Sequence, residues 1–474
     1  MPCGCIKLKQ NNVRRPWNPA ACHPIAGLDK RRAVQECWTY ADVGIEAMAR
    51  GGSIDCDLLI VGGGMVGLTM GIASAVAGLA VVVVDREAPE SQLAEPYDGR
   101  SSAIARGSQQ VFEGLGIWPL MAAQAQPITD IRVSDGRAGP PGGLGWASGL
   151  FLHYDSRQVG GVPLGYIVEN RVTREALVGR AKQLPALTWL APEVLAALER
   201  TTTGVTARTA AGVEITARLV VAADGRNSAL RRAAGIGVQS WDYPQSGIVC
   251  SVGHELPHEG VAHEHFLPAG PFALLPMTDG PLTAGGLEVH RSSLVWTERR
   301  AVADQVTKLG DAAFAEELMR RFGDSLGRLQ VRGRRWCYPL GLLHAKRYLA
   351  RRLVLIGDAA HAIHPIAGQG LNLGIRDVAA LAETLIDAAR LGLDIGQEDQ
   401  LVRYERWRRF DATALVTVTD ALNRLFSNDL PPVRAARDLG LAAVDRLPGV
   451  KRLFMRHAMG LIGDLPRLVR GEPL

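Results

Sequence analysis

The 474-residue sequence predicts an α/β fold, because three short apolar runs each lead into a turn that contains glycine. The runs begin at Leu58, Leu219 and Leu353, and they are almost free of polar side chains. Apolar runs of this kind are typical of parallel strands that are buried on both faces. Ligands of such sheets bind at the carboxyl ends of the strands, so the three turns are the candidate functional sites.

The first apolar run continues into the motif G-x-G-x-x-G, formed by Gly62, Gly64 and Gly67. In this motif the first glycine allows a tight turn, the second lets a pyrophosphate approach the backbone, and the third lets a helix pack against the strand. A second strand is expected over Ala80–Val84. It ends at Asp85, near the spacing of about 20 residues expected for an acid that binds a ribose hydroxyl. The segment predicts a dinucleotide site, and by itself it allows either NAD or FAD.

The second apolar run ends at Asp224 and Gly225, in the stretch "LVVAADGRNSALRR". Small residues there allow close approach of a ligand, and Arg226, Arg231 and Arg232 are candidates for contact with phosphate. A surface turn with solvated arginines is the alternative interpretation of this segment taken alone.

The third run leads into "GDAAHAIHPIAGQGLNLGIRD", which begins at Gly357. Asp358 stands at the end of the strand, and a helix is expected from about Leu371 because apolar residues recur there every three or four positions. The turn 368–370 before the helix has little side-chain bulk. It suits a planar ring that faces the positive end of the helix dipole.

Two groups of residues allow a metal site as an alternative. His361 and His364 are three residues apart, but Pro365 disfavours a helix there and no third ligand is apparent. The other group lies near the N-terminus and lacks the paired C-x2-C spacing of zinc sites. It consists of Cys3, Cys5, Cys22, His23 and Cys37. We therefore predict no metal centre.

Taken together and in this order, the three segments resemble the fingerprints of the class A FAD-dependent aromatic hydroxylases, whose parent fold is that of para-hydroxybenzoate hydroxylase. Residues 62–67 match G-x-G-x-x-G, and residues 224–231 match a DG-x-x-S-x-x-R-like motif. Residues 357–372 match the very specific motif GD-A-A-H-x-x-x-P-x-x-G-Q-G-x-N. Other stretches, among them "DGRSSAIARGSQQVFEGLGIW" and "DALNRLFSND", resemble the ubiquinone-biosynthesis branch of that family.

The resemblance covers about residues 55–474 and implies a discontinuous Rossmann-like FAD-binding domain, an inserted mixed β-sheet substrate domain and C-terminal helices. The implied FAD-binding domain comprises 55–130, 165–235 and 346–390, the substrate domain 131–164 and 236–345, and the helical region 391–474. Residues 1–54 are expected outside this fold. They are a disordered extension, a targeting segment or the product of an upstream start codon.

The resemblance also assigns site residues. The residues expected to bind FAD are Gly62, Gly64, Gly67, Asp85, Arg100, Arg171, Asp224, Gly225, Asp358, Gly370, Leu371 and Asn372. The residues expected to line the flavin ring are His361, Pro365, Gly368, Gln369 and Gly370. The candidates for the substrate pocket, in the strands expected between Gly235 and Pro339, are Tyr243, Gln245, Glu264, Phe266, Pro276, Trp296 and Tyr338. No acid or base for catalysis is identified.

The implied activity is that of an oxidoreductase that hydroxylates the aromatic ring of a polyprenyl-phenol intermediate of ubiquinone biosynthesis. NADH or NADPH would reduce FAD, and O2 would add to the reduced flavin to give a hydroperoxide that delivers one oxygen atom. A hydroxylase of a soluble phenol is one alternative. A non-catalytic flavin-binding scaffold subunit of a biosynthetic complex is another.

The composition of the sequence restricts the classes of partner and the location that we expect for the protein. The net charge is +5, from 53 basic and 48 acidic residues, and without a lysine-rich run this excess argues against nucleic-acid binding. The sequence has no apolar run of about 18 residues and no secretory signal, which predicts a cytoplasmic protein. The basic, amphipathic segment 431–474 allows peripheral attachment to the inner membrane, or else a packed terminal helix or subunit interface. Other ubiquinone-biosynthesis proteins are further candidate partners.

Overall fold

A computed structural model describes residues 52–93, 99–280, 289–363, 368–427 and 431–474. The strands are β1 Ser53–Asp55, β2 Leu58–Val61, β3 Val81–Val84, β4 Ser101–Ala105, β5 Gln126–Ile128, β6 Asp130–Arg137, β7 Trp146–Asp155, β8 Gly165–Glu169, β9 Leu187–Leu190, β10 Leu195–Arg200, β11 Val205–Thr209, β12 Glu214–Ala217, β13 Leu219–Ala222, β14 Val238–His254, β15 Val261–Leu267, β16 Gly270–Gly280, β17 Val289–Arg299, β18 Leu329–Ala345, β19 Leu349–Ala350, β20 Leu353–Leu355 and β21 His361–Ala362. The helices are α1 Met65–Val76, α2 Pro89–Leu93, α3 Arg106–Gly114, α4 Asn170–Ala181, α5 Ala229–Ala233, α6 Arg300–Val306, α7 Asp311–Phe322, α8 Gln369–Arg390, α9 Glu398–Phe426, α10 Pro431–Arg446, α11 Pro448–Ala458 and α12 Arg467–Arg470.

The three apolar runs form the centre of a six-stranded sheet of order β19-β20-β13-β2-β3-β9. All its neighbouring strands are parallel except β19 and β20. The sequence prediction of buried parallel strands is confirmed: every residue of β13 and β20 is buried, as are the first three residues of β2. Burying each valine, leucine or isoleucine of these strands contributes about 1.5–3 kcal/mol to the stability of the fold, so the sheet is a stable support for the turns at its edge.

The helix expected after the third run is α8, which packs on α1 and on the sheet. Its side chains Leu373, Ile375, Val378 and Leu381 are fully buried. A β-carbon at Gly374 would lie 2.7 Å from Val66 of α1, so the two helices touch where a side chain is missing. This contact brings the first turns of the two helices close together.

The second large sheet is mixed, with the order β21-β18-β14-β17-β16-β15-β6-β7 and one parallel pair, β15 with β6. One face packs on α6 and α7 around Phe272, Trp296 and Phe314, which are buried completely. Because strand residues alternate between faces, the neighbours in sequence of Phe272 and Trp296 lie on the opposite face of the sheet.

The chain is ordered into a sheet from at least Ser53. In a four-stranded sheet of order β1-β12-β11-β10, Ser53 and Ile54 pair with Glu214 and Ile215, so the structured part begins before the boundary expected at residue 55. Residues 1–51, including the cysteine-rich group, lie outside the described residues. Among the helices described, none has both the length and the apolar character needed to cross a bilayer.

Candidate functional site: a cleft between two sheets

A cavity of about 600 Å³ lies beside the carboxyl edge of the six-stranded sheet and the open face of the eight-stranded sheet. Its position follows from the sheet register. Val61, Ala222 and Leu355 are in register at the ends of β2, β13 and β20. The three glycine-containing turns that follow these strands therefore meet at one edge, and residues from each of them line the cavity.

Three glycines, one from each turn, leave bare backbone facing open space. A β-carbon built at Gly64, Gly225 or Gly370 would meet no other atom within 4 Å, and all three residues line the cavity. The two outer glycines of the first motif are required for a different reason. Gly62 has φ +107° and lies against the backbone of the second turn, and a β-carbon at Gly67 would overlap the Gly62 carbonyl oxygen. The cleft thus offers unobstructed main chain along its length, which fits a long nucleotide cofactor such as FAD.

Two helices begin at this cleft. α1 starts after Gly64, and α8 starts after Gly368, which has the left-handed φ of +60°. The first residues of both helices line the cavity, including Met65, Gln369 and Leu371. Their unpaired N–H groups and positive dipole ends favour a pyrophosphate or an electron-rich ring.

Asn372 lines the cavity but its amide fastens the turn to strand β4. Its Nδ2 donates to the carbonyl oxygens of Ala103 and Gly368 at 2.7 and 3.2 Å, and its Oδ1 accepts the N–H of Ala105 at 2.9 Å. The residue therefore fixes the position of the α8 N-terminus.

Charged side chains cluster at the part of the cavity near the third turn. Asp358, Arg100 and Arg226 line it, and the Arg100 guanidinium lies over the ring of Tyr338 at 5.1 Å. Burial raises the pKa of Asp358, and His361 and the two arginines oppose that rise. Asp358 and Arg100, two of the predicted cofactor residues, therefore line the cavity.

The second turn is held together by its own polar side chains. Asp224 accepts the N–H groups of Ala229 and Leu230 at 2.7 and 3.2 Å, which caps the short helix α5. Arg231 is buried and donates to the carbonyl oxygens of Ala359 and Arg226 at 2.7 and 2.9 Å. Arg231 therefore joins the second and third turns, and it is not among the residues that line the cavity.

His361, which was predicted to line the flavin ring, is not among the residues that line the cavity. Its ring is buried away from the cavity, with Nε2 at 2.6 Å from Asp377 Oδ2. Asp377 also accepts the Gly357 N–H at 3.0 Å and the Arg408 Nε–H at 2.8 Å. Burial alone would raise the pKa of Asp377, but His361 and Arg408 lower it, so the carboxylate stays ionised and fixes the third turn from behind. Asp377 was not among the residues predicted from the sequence, although an acid inside the apolar stripe of a buried helix marks it.

Besides Gly62 and Asp224, two further predicted cofactor residues lie outside the lining of the cavity. Asp85 accepts the N–H groups of Gly63 and Glu87, which ties the end of β3 to the first turn. The Arg171 Nε lies 3.0 Å from Glu175 on the surface of α4. The predicted Pro365 falls outside the described residues.

Of the predicted substrate-pocket residues, Tyr338 and Glu264 line the cavity and the other five do not. Pro276 and Trp296 follow the lining residues Leu275 and Val295 directly, so alternation turns them to the other face.

The remaining three contact the C-terminal helices or the loop beside them. Tyr243 donates to Asp420 at 2.8 Å, and Phe266 stacks on Phe426 with ring centroids 4.0 Å apart. Gln245 donates to the Ala269 carbonyl oxygen at 2.6 Å. These five residues support the wall from behind or at its end.

The wall that faces the cavity consists mainly of small and aliphatic residues. They are Gly247, Val249, Ala262, Pro271, Ala273, Leu275, Ser293, Val295 and Thr297. Among the residues described, none of the His, Cys, Asp and Glu side chains form a group of three or more that would hold a metal. The cleft therefore combines a polar end made of strand termini with an apolar sheet face.

Comparison with known proteins agrees with this geometry. The FAD binding domain family matches residues 55–419. The chain is 50% identical over 428 residues to the ubiquinone hydroxylase UbiL of Rhodospirillum rubrum, covering 89% of this chain and 95% of that protein. The chain belongs to the FAD-dependent aromatic hydroxylases, in the branch of the ubiquinone hydroxylases.

Other members of this family are similar over comparable lengths. The 3-demethoxyubiquinol 3-hydroxylase of Escherichia coli is 35% identical over 407 residues, which covers 85% of this chain and 98% of that protein. The crystal structure of p-nitrophenol 4-monooxygenase PnpA from Pseudomonas putida superposes with a TM-score of 0.69 at 20% identity, over 87% of this chain and 99% of that one. The hydroxylase fold, the enzyme class and FAD as cofactor, all predicted from the motifs, are confirmed.

Proposed function

We propose that this protein hydroxylates the aromatic ring of a polyprenyl-phenol precursor of ubiquinone, with NADH or NADPH and O2 as co-substrates. The observation that carries the proposal is the single cleft in which three bare-backbone turns continue into an apolar sheet face. The turns suit FAD, and the sheet face suits a prenylated ring. The extensive identity to ubiquinone hydroxylases supports this substrate class.

Bound FAD would supply the redox chemistry and the activation of O2. Gly64, Gly225 and Gly370 would let it lie against the main chain, and the N-termini of α1 and α8 would stabilise negative charge on it. Asp377 would keep the third turn in place through the Gly357 N–H. The aliphatic wall would hold the ring and exclude water from the reacting atoms.

We extend the proposal to peripheral attachment at the inner membrane through helix α11. On its outer side Leu453 and Phe454 are 57% and 46% exposed, next to the exposed Arg452. On its inner side Met455 and Ala458 line the cavity. A basic helix with exposed apolar side chains suits an anionic lipid surface. One helix would thus contact both the bilayer and the cleft that takes a lipid-soluble substrate. A subunit interface is the alternative use of this face.

The test is turnover by the purified, FAD-loaded protein. With a 2-prenylated phenol in detergent we expect NAD(P)H oxidation that depends on the phenol, and a product heavier by one oxygen atom. Equal or better turnover of an unprenylated phenol would favour the soluble-substrate alternative. Absence of turnover with either phenol would favour a scaffold subunit. Deleting the gene should cause a hydroxyl-deficient quinone precursor to accumulate.

A further inference from the structure

Glu264 is a carboxylate placed in the middle of the apolar wall. It lies on β15, in register with Val133 of β6 and Ala273 of β16, and Ala273 pairs in turn with Val295 of β17. Its side chain lines the cavity. Among the described residues, none forms a hydrogen bond or an ion pair with this carboxylate, and burial is the sole cause acting on its pKa.

A carboxylate in such a position lowers the stability of the folded protein. Glu264 is only partly exposed, and a carboxylate in an apolar site without a protein partner loses part of its solvation. Burial accordingly raises the pKa of Glu264 to about 7. The group therefore takes up or releases a proton near neutral pH, and it holds no neighbouring element in place. A titratable group of this kind in a cleft is a candidate for function on physical grounds.

A tyrosine beside it provides a further polar group for a phenol. Tyr154 lines the same cavity. Burial and the nearby Glu264 hold the pKa of Tyr154 above its usual range. The other acid that lines the cavity in the described part of the chain, Asp358, belongs to the third turn and thus to the cofactor end.

We propose that Glu264 binds the phenolic hydroxyl of the substrate and accepts its proton, an assignment that rests on the proposed function. The O–H bond breaks, the proton passes to a carboxylate oxygen, and the electron pair stays on the phenolate. Ring carbons ortho and para to a phenolate are strong nucleophiles, and one of them takes an oxygen atom from O2. NAD(P)H, through FAD, supplies two electrons. The second oxygen atom leaves as water and receives the proton held by Glu264. Phenol, O2, NAD(P)H and H⁺ thus give diphenol, NAD(P)⁺ and water.

The experiment compares Glu264→Gln with Glu259→Gln, which removes an exposed carboxylate nearby on the chain. In the wild type we expect kcat with a 2-prenylated phenol to rise as the pH rises through about 7. Glu264→Gln should lose this pH dependence and lower kcat about 100-fold, the usual size of an acid–base effect, with KM changed much less. Glu264→Asp should recover part of both, and Glu259→Gln should behave as the wild type.

A second readout needs no turnover. A phenol donates a stronger hydrogen bond to a carboxylate than to a neutral group, so in equilibrium titrations the wild-type protein should bind the prenylated phenol more tightly at pH 8 than at pH 6. Glu264→Gln should bind it equally at the two pH values. An unchanged pH profile of kcat and an unchanged pH dependence of binding in Glu264→Gln would overturn the assignment. If the wild type turns over no prenylated phenol, the proposed function fails, and the binding titrations still decide the role of Glu264.

Discussion

The stability of the protein should carry a pH-dependent cost that comes from Glu264. Its pKa lies at about 7 against an ordinary value of 4.5. At about 1.4 kcal/mol for each pKa unit, this difference corresponds to about 3 kcal/mol. Because the pKa is raised on folding, the native state retains a proton between pH 4.5 and 7 that the unfolded state has lost. The free energy of unfolding therefore falls as the pH rises through this window, and the full cost is present above it.

Glu264→Gln isolates this contribution because a glutamine does not ionise. Burial lowers the pKa values of His263 and His265 to about 3 and 4, so these residues destabilise the fold as the pH falls. Both histidines are present in wild type and variant, and the difference between the two proteins cancels them. Urea denaturation of the FAD-loaded proteins should give similar free energies of unfolding near pH 5. At pH 8 the variant should be more stable by about 3 kcal/mol.

The result that would refute this reasoning is a pair of parallel curves between pH 5 and 8. Parallel curves would mean that the carboxylate has a normal pKa and that water or a polar group solvates it in the folded protein. A variant less stable than the wild type at pH 8 would show that Glu264 holds the fold together, which contradicts its lack of partners.

Three further outcomes are expected. Asp377→Asn should lower the free energy of unfolding by about 3–5 kcal/mol in urea denaturation, because it removes the fully buried carboxylate that pairs with Arg408 and leaves it only the partly exposed Asp411; a loss below about 1 kcal/mol would contradict this. Trp296→Ala truncates a core residue and should lower the free energy of unfolding by about 3–5 kcal/mol. It should leave KM for the prenylated phenol unchanged, and a large change in KM would show that Trp296 lines the pocket. Phe454→Ser should reduce co-sedimentation with vesicles that contain anionic phospholipid several-fold, and Leu391→Ser, at a leucine that is 75% exposed outside α11, should not; equal effects would remove the case for α11.

The strands and turns that form the cofactor half of the cleft could be predicted from the sequence because their constraints are local. Strand β2 begins at Leu58, as predicted, and helices α1 and α8 begin at the glycine-containing turns. A buried parallel strand must be apolar, and a turn with φ of +107° at Gly62 must carry glycine, so both can be recognised in the sequence.

The substrate half was harder to predict because its signal is the direction of a side chain. Trp296 and Val295 differ by one position, and only the sheet register shows which of them faces the cavity. Small residues such as Ala273 form the wall, and nothing in the sequence distinguishes them from small residues elsewhere. For His361 the motif showed that the residue matters, but only the fold shows that its ring points to Asp377.

The central claim is that three strand ends present bare main chain to one FAD molecule. Equilibrium binding of FAD to Gly64→Asp and Gly310→Asp tests it most directly. Both glycines are helix N-caps with ordinary φ and open space around them, so aspartate is tolerated at either position, but Gly310 lies outside the cleft. We predict that Gly64→Asp folds and binds FAD at least about 100-fold more weakly, because its carboxylate faces the pyrophosphate, while Gly310→Asp binds FAD as the wild type does. Wild-type FAD affinity in folded Gly64→Asp would contradict the account.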